Sequence, residues 1–164
     1  MKYLKISIGI FFALAVTRFV PHPPNFTSLI ALSFYVPALF GPIYLPAVIF
    51  SFALTDIIIG FHKLTLFTWG SVFMIGIVSK FFLLSVYSRI LGALTGAVIF
   101  FVVTNFGVWL VGNYEYSLNG LIACYYMALP FFAGTIVSTL VFSLIIEFMF
   151  NLFMKSNLAK YLSS

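Results

Sequence analysis

The sequence predicts an all-α membrane protein of six transmembrane helices, with a re-entrant or interfacial outer loop before the last helix. Three observations carry that reading. The chain of 164 residues is 63% hydrophobic and only 7% charged, whereas a soluble domain carries roughly 25% charged residues. Its mean hydropathy is +1.20, more apolar surface than a water-facing fold of this size can hide. The apolar residues also fall into segments near the ~20 residues that cross a hydrocarbon core about 30 Å thick at about 1.5 Å of helical rise per residue. We read residues 1–164 as a single polytopic transmembrane domain in the lipid bilayer. The net charge of +5 then marks topology rather than nucleic-acid binding. The single cysteine, Cys124, excludes an internal disulfide.

The first segment, 3–20, opens like a secretory signal, with Lys2 and Lys5, an apolar run and an Ala13-Leu14-Ala15 triplet. We read it as a retained first helix. The second, 26–41, is short and holds Pro37, and only Gly41-Pro42 separates it from the third, 43–60. These two form a tight helical hairpin, with room for one incomplete limb. Segments 65–86, 90–111 and 131–153 each have spanning length. Between the last two, GLIACYYMALP at 120–130 is apolar but too short to cross before Pro130. It is expected to cap the outer mouth, and irregular backbone at that depth needs protein or a wet cavity beneath it.

With the N-terminus inside, Lys2, Lys5, Lys80, Arg89, Lys155 and Lys160 are cytoplasmic, and Arg18 and Lys63 are outside, six against two. That bias puts both termini in the cytoplasm. The distinctive polar residues then gather at the outer side. RFVPHPPNFT (18–27) holds Arg18, His22 and Asn25; DIIIGFH holds Asp56 and His62; Trp69 opens the fourth span; TNFGVWLVGNYEYSLNG (104–120) holds Asn105, Trp109, Glu115 and Asn119; Cys124 and Tyr125 follow.

Each candidate has two readings. Asp56 is an ionisable group inside a span, which costs at least about 2.5 kcal/mol and marks a functional position by default; a structural ion pair with Arg18 at matching depth explains it equally well. His22, His62, Asp56 and Cys124 could in principle hold a metal, but their spacing matches no ligand pattern and helix-end histidines are ordinary. Cys124 is a small hydrophobe or a thiol facing ligand. Asn105, Trp109, Trp69, Phe61, Tyr114, Tyr116 and Tyr125 form an aromatic pocket for an organic ligand, or the aromatic belt of a membrane interface. Asn105 and Trp109 lie one turn apart on one helix face. A belt explains the aromatics but not the asparagines, so we expect Asn105, Trp109, Asp56 and 120–130 to border one outward pocket, with 120–130 as a lid hinged at Gly120.

Gly9-xxx-Ala13, Gly92-xxx-Gly96 and Gly134-xxx-Ser138 are faces that allow close packing. Glu147 lies toward the cytoplasmic end, within reach of Lys80 or Arg89. No nucleophile elbow, GxGxxG or phosphate-binding loop occurs in the sequence, so no catalytic role, cofactor or metal is assigned.

The motifs RFVPHPPNFT, SFALTDIIIGFH, FFVVTNFGVW and GLIACYYMALPFF, in that order, resemble a bacterial family of uncharacterised small integral-membrane proteins. That family is similar in size and layout to the S-components of energy-coupling-factor (ECF) transporters. The resemblance implies a multi-pass protein of the bacterial inner membrane that captures a vitamin-like small organic nutrient under its outer loops. It implies as partners an ECF transmembrane coupling subunit and two ATPases, with docking through a small-residue face of the first helix. Gly9-xxx-Ala13 is the nearest match to that face. The expected substrate-binding set is Arg18, Asn25, Asp56, His62, Trp69, Asn105, Trp109, Asn119, Cys124 and Tyr125. The rival reading is an integral-membrane enzyme or assembly factor using the same polar pocket, with His22, His62, Asp56 and Cys124 doing the chemistry. A third is a structural subunit whose pocket is filled by side chains.

Overall fold

The computed structural model describes residues 2–162, and the side chains of residues 3–154. All regular structure among them is helical: α1 (Lys2–Phe19), α2 (Leu29–Phe40), α3 (Leu45–Ile59), α4 (Thr65–Val78), α5 (Val86–Leu110) and α6 (Leu118–Leu162), with single 3₁₀ turns at Pro42–Tyr44 and Ser79–Phe81. The side chains of Lys2, Lys155 and Lys160, half of the cytoplasmic charge count, lie outside the described residues.

Among the described residues, three stretches are long and apolar enough to cross a membrane: Pro42–Ile59, α5, and α6 over Leu118–Met154. Helix α1 has 18 residues but carries Lys2, Lys5 and Arg18. Helices α2 and α4 have only 12 and 14 residues. The shortness of α2 is explained by its place. Leu29 through Pro37 are all buried, so α2 is sheathed by other helices and need not match the bilayer. The outer helices instead expose large apolar side chains such as Phe50, Leu66 and Leu84, a surface suited to lipid.

Contacts between named residues fix the helix directions. Tyr3, at the start of α1, stacks on Tyr44, just before α3; Arg18, at the end of α1, meets Asp56 near the end of α3. So α1 and α3 run parallel. The tight turn at Gly41, whose φ of 100° suits only glycine, reverses α2 against α3. Trp69 in the first turns of α4 reaches back to Asp56. Arg89 near the start of α5 meets Glu147 far along α6, while Asn105 and Cys124 meet near the opposite ends. The six helices therefore alternate in direction. One end of the bundle, here called the upper end, collects residues 20–28, 60–64 and 111–117.

Glycines bring α5 close to the centre. A Cβ on Gly92 would stand 2.4 Å from the Phe34 ring, and one on Gly96 3.0 Å from Ile75. The face Gly92-xxx-Gly96 thus serves internal packing. Gly134 serves differently, because what approaches it is the carbonyl of Pro24, 2.8 Å from where a Cβ would be. It seats the α1–α2 loop, not a helix.

One expectation is overturned. Residues 120–130 are not a re-entrant or interfacial loop but the first turns of α6, which runs unbroken through Pro130. An interior proline costs about 3 kcal/mol in a water-exposed helix, but membrane helices tolerate it because the freed backbone groups are satisfied by neighbours. At 45 residues, α6 is about 68 Å long at about 1.5 Å per residue, more than twice the hydrocarbon thickness. Gly120 is no hinge either: a Cβ there would lie 2.1 Å from the Glu115 carbonyl oxygen, so glycine is what lets the 111–117 corner fold onto the helix start.

Candidate functional site

A chain this apolar must satisfy its few charges internally. Arg18 falls in the last turn of α1, where the helix dipole favours a cation. Asp56 falls near the end of α3, and the two meet at the upper end. Nη1 of Arg18 is 2.7 Å from Oδ1 of Asp56, with side chains 14% and 1% exposed. The contact is an ion pair off hydrogen-bond alignment. Oδ2 of Asp56 accepts a hydrogen bond from Trp69 Nε1 at 2.7 Å. Nη1 of Arg18 also donates to Thr55 Oγ1 and, at 3.5 Å, to the Phe52 carbonyl, and the guanidinium lies 4.6 Å from the centre of the Phe52 ring. Asp56 therefore anchors three helices: its own, α1 through Arg18, and α4 through Trp69.

Above this pair opens a cavity of about 290 Å³. Arg18 lines it, with His22, Asn25 and Thr27 from the α1–α2 loop, His62 from the α3–α4 loop, Thr68 from the start of α4, and Thr135 from α6; Leu29, Ile30, Phe52, Ile59 and Phe100 supply apolar wall. The loop is held in shape locally. Asn25 adopts φ 60°, a left-handed conformation that asparagine tolerates better than most residues. Its Nδ2 donates to the Phe131 carbonyl at 3.4 Å, and its own carbonyl accepts from Ser138 Oγ at 3.2 Å.

Of the ten residues expected to bind substrate, Arg18, Asn25 and His62 line the cavity. Asp56 and Trp69 support Arg18 from behind it. The other five do not line it, and neither does any residue of 120–130. Asn105 turns its amide back to the Phe101 carbonyl of its own helix at 2.7 Å. In an apolar setting that is the nearest acceptor for an amide donor. Trp109 donates to the Glu115 carbonyl at 3.0 Å and meets Tyr116 edge-on, which pins the α5–α6 corner. Cys124 is buried and reaches the Asn105 carbonyl at 3.3 Å. Tyr125 donates to the Val102 carbonyl at 2.7 Å. Asn119 is exposed on the first turn of α6. These five tie α5 to α6 or face outward.

His22 and His62 share the cavity wall, but Cys124 is not with them. Among the described residues, no three of His, Cys, Asp and Glu come close enough to hold a metal ion. Thr27, Phe52 and Thr135 also line the cavity, although the sequence does not single them out. One signal was present for the last: Thr135, Ser138, Thr139, Ser143 and Glu147 recur at helical spacing, and all are buried, marking the inward face of α6.

A second buried ion pair lies toward the opposite end. Nε and Nη2 of Arg89 donate to the two carboxylate oxygens of Glu147 at 2.6 and 2.7 Å. Lys80, the other candidate partner, instead rests over the Phe81 ring at 5.0 Å.

A family model described as "Family of unknown function (DUF6580)" matches residues 2–161, and the chain belongs to that family. No curated protein and no solved structure matches it.

Proposed function

We propose that this member of the DUF6580 family is a substrate-capture subunit of the bacterial inner membrane. It takes a small, vitamin-like organic nutrient from the outer side, in the manner of the ECF S-components it resembles. In this reading all six helices cross the membrane, the upper end faces out, and both termini are cytoplasmic. The observation that carries the reading is the cavity itself. An otherwise apolar bundle gathers one arginine, two histidines, an asparagine and three threonines around one space at one end. Polar side chains converging on an apolar-walled cavity are the usual makings of a small-molecule site. The cavity, about 290 Å³, is at the low end of the ~300–1,000 Å³ of such sites. It therefore suits a compact molecule and not a macrocycle.

The chain carries no phosphate-binding loop, so energy for uptake would come from partners, an ECF coupling subunit and two ATPases. Gly9 and Ala13 on α1 are exposed, and Gly9 has no neighbour within 4 Å of a built Cβ, which leaves that face free for such a subunit. The rival enzyme reading has less to stand on, because Cys124 is in contact with α5 rather than with the histidines. Native mass spectrometry of the full chain released from mild detergent tests the proposal. A co-purifying organic molecule small enough for the cavity, lost in a Thr135→Trp variant that fills it, is the expected result. A clean apo spectrum in every preparation, including membranes from cells grown on rich medium, would count against capture.

A further inference from the structure

We infer that the ligand of the upper cavity is a small zwitterion, its carboxylate held by the free edge of Arg18 and its amino group by acceptor atoms of the α1–α2 loop, α4 and α6. This ligand class rests on the capture role proposed above, since it concerns the same cavity. The inference follows from which hydrogen-bonding atoms are already used.

Arginine carries five N–H donors in a planar fork. Every hydrogen-bond and ion-pair contact of Arg18 in this structure runs through Nη1: Asp56, Thr55 and the Phe52 carbonyl. Nε and Nη2 have no hydrogen-bond partner among the described residues, and the side chain borders the cavity. The Nε–Nη2 edge presents two parallel N–H groups, the geometry that matches the two oxygens of a carboxylate. Asp56 does not compete for that edge, because it meets the guanidinium only at Nη1. His62 adds a donor. Its Nδ1 accepts the Leu64 N–H at 3.2 Å, so in the neutral ring the proton is on Nε2.

Most of the remaining polar atoms are acceptors, although the Thr27 hydroxyl has no protein partner among the described residues and can act either way. Thr135 Oγ1 donates to the Phe131 carbonyl at 3.0 Å, and Thr68 Oγ1 donates to the Thr65 carbonyl at 2.9 Å; both hydroxyls are left as acceptors. Asn25 donates one amide hydrogen to the Phe131 carbonyl, which leaves Oδ1 as an acceptor and one N–H free. His22 Nδ1 is 2.8 Å from the Pro23 carbonyl. A carbonyl only accepts, so Nδ1 holds the proton and Nε2 of the neutral ring is an acceptor. The cavity thus joins a donor edge at Arg18 and His62 to four acceptor atoms, with Leu29, Ile30, Phe52 and Phe100 as apolar wall.

Charge decides between a simple anion and a zwitterion. Asp56 already balances Arg18. A lone carboxylate or phosphate would leave uncompensated negative charge in a site walled in part by apolar side chains, and such charge is costly. A ligand that brings its own positive charge leaves the site neutral. An ammonium offers three donors, which the acceptor atoms can take, and the apolar wall suits the carbon skeleton between the two ends.

The test uses the full chain in lipid nanodiscs. Each of the twenty common amino acids and 4-aminobutyrate is tried alone by isothermal titration calorimetry. The carboxamide and the N-acetyl derivative of the best binder follow. The expected result is saturable binding of at least one zwitterion, weakened at least tenfold by either modification. Arg18→Lys keeps the charge beside Asp56 but loses the planar fork; it should abolish the preference for the free acid over its carboxamide. Thr135→Val, away from the ion pair, should reduce the penalty of N-acetylation. Equal binding of the zwitterion and its carboxamide would overturn the assignment, as would failure of every zwitterion to bind. If native mass spectrometry still shows a neutral or purely anionic small molecule in the cavity, the ligand class fails while capture stands; an empty cavity sinks both.

Discussion

Removing Arg18 should destabilise the protein more than removing Asp56, and removing both should cost less than removing Arg18 alone. The asymmetry follows from burial. In Arg18→Ala the Asp56 carboxylate, 1% exposed, keeps one donor, Trp69 Nε1. In Asp56→Ala the guanidinium keeps Thr55, the Phe52 carbonyl and the Phe52 ring, and it borders a cavity that water can enter. Breaking one partner of a buried pair costs about 3–5 kcal/mol, because the other charge is stranded. We expect Arg18→Ala near the top of that range and Asp56→Ala nearer its lower end, even with Trp69 losing its acceptor. The double variant strands no charge and should cost less than Arg18→Ala alone, so the coupling between the two should exceed the Asp56→Ala loss, about 3 kcal/mol or more, where distant sites add to within about 0.5 kcal/mol. A thermodynamic cycle from reversible SDS-induced unfolding in mixed micelles measures it. Losses that add within that margin would refute the pair as the organiser of the upper end.

The remaining predictions touch other parts of the bundle. Glu147→Ala should destabilise by about 3–5 kcal/mol and be partly rescued by Arg89→Ala, while Lys80→Ala should stay within about 0.5 kcal/mol; thermal denaturation in detergent separates them. Gly92→Ala forces a methyl into the Phe34 ring and should cost about 1–3 kcal/mol through overpacking. A Cβ on Gly9 meets nothing within 4 Å, so with Gly9→Leu the isolated chain should keep its melting temperature while co-purification with a coupling subunit falls. Asn105→Ala and Trp109→Ala should loosen the α5–α6 corner, seen as faster amide hydrogen exchange there, and leave ligand affinity unchanged. An impermeant amine reagent applied to intact spheroplasts should label Lys63 and spare Lys160; labelling of Lys160 alone would invert the orientation.

The parts legible in the sequence are those where a residue had few ways to be satisfied. A lone aspartate in an apolar span needs a cation, and Arg18 was the one at matching depth; the structure joins them at 2.7 Å. Glu147 likewise found Arg89. The Gly41-Pro42 reversal was readable because the turn requires a positive φ. What misled were groups with a local way out. Asn105 satisfies its amide on its own helix and Trp109 on the adjacent corner, so clustering in sequence did not mean convergence on a ligand. Pro130 looked like a stop under the rules for helices in water, but α6 runs through it. Thr135 was not legible because isolated hydroxyls in membrane helices usually bond to the preceding turn, as Thr104 does with Phe100. Only the third dimension separates those from Thr135, which makes the same bond and also faces the cavity.

The central claim is that the cavity above Arg18 opens to the outside and holds a solute there. Cysteine accessibility tests it most directly. Thr135→Cys, in a Cys124→Ala background, places a thiol on the cavity wall, and Asn105→Cys in the same background places one away from it. Intact spheroplasts are treated with an impermeant methanethiosulfonate, with and without the small molecule identified by native mass spectrometry. The account predicts that Thr135→Cys reacts from outside and is slowed at least fivefold by the solute, while the rate at Asn105→Cys does not change. Reaction of Thr135→Cys only after the membrane is permeabilised, or at the same rate with and without solute, would contradict it.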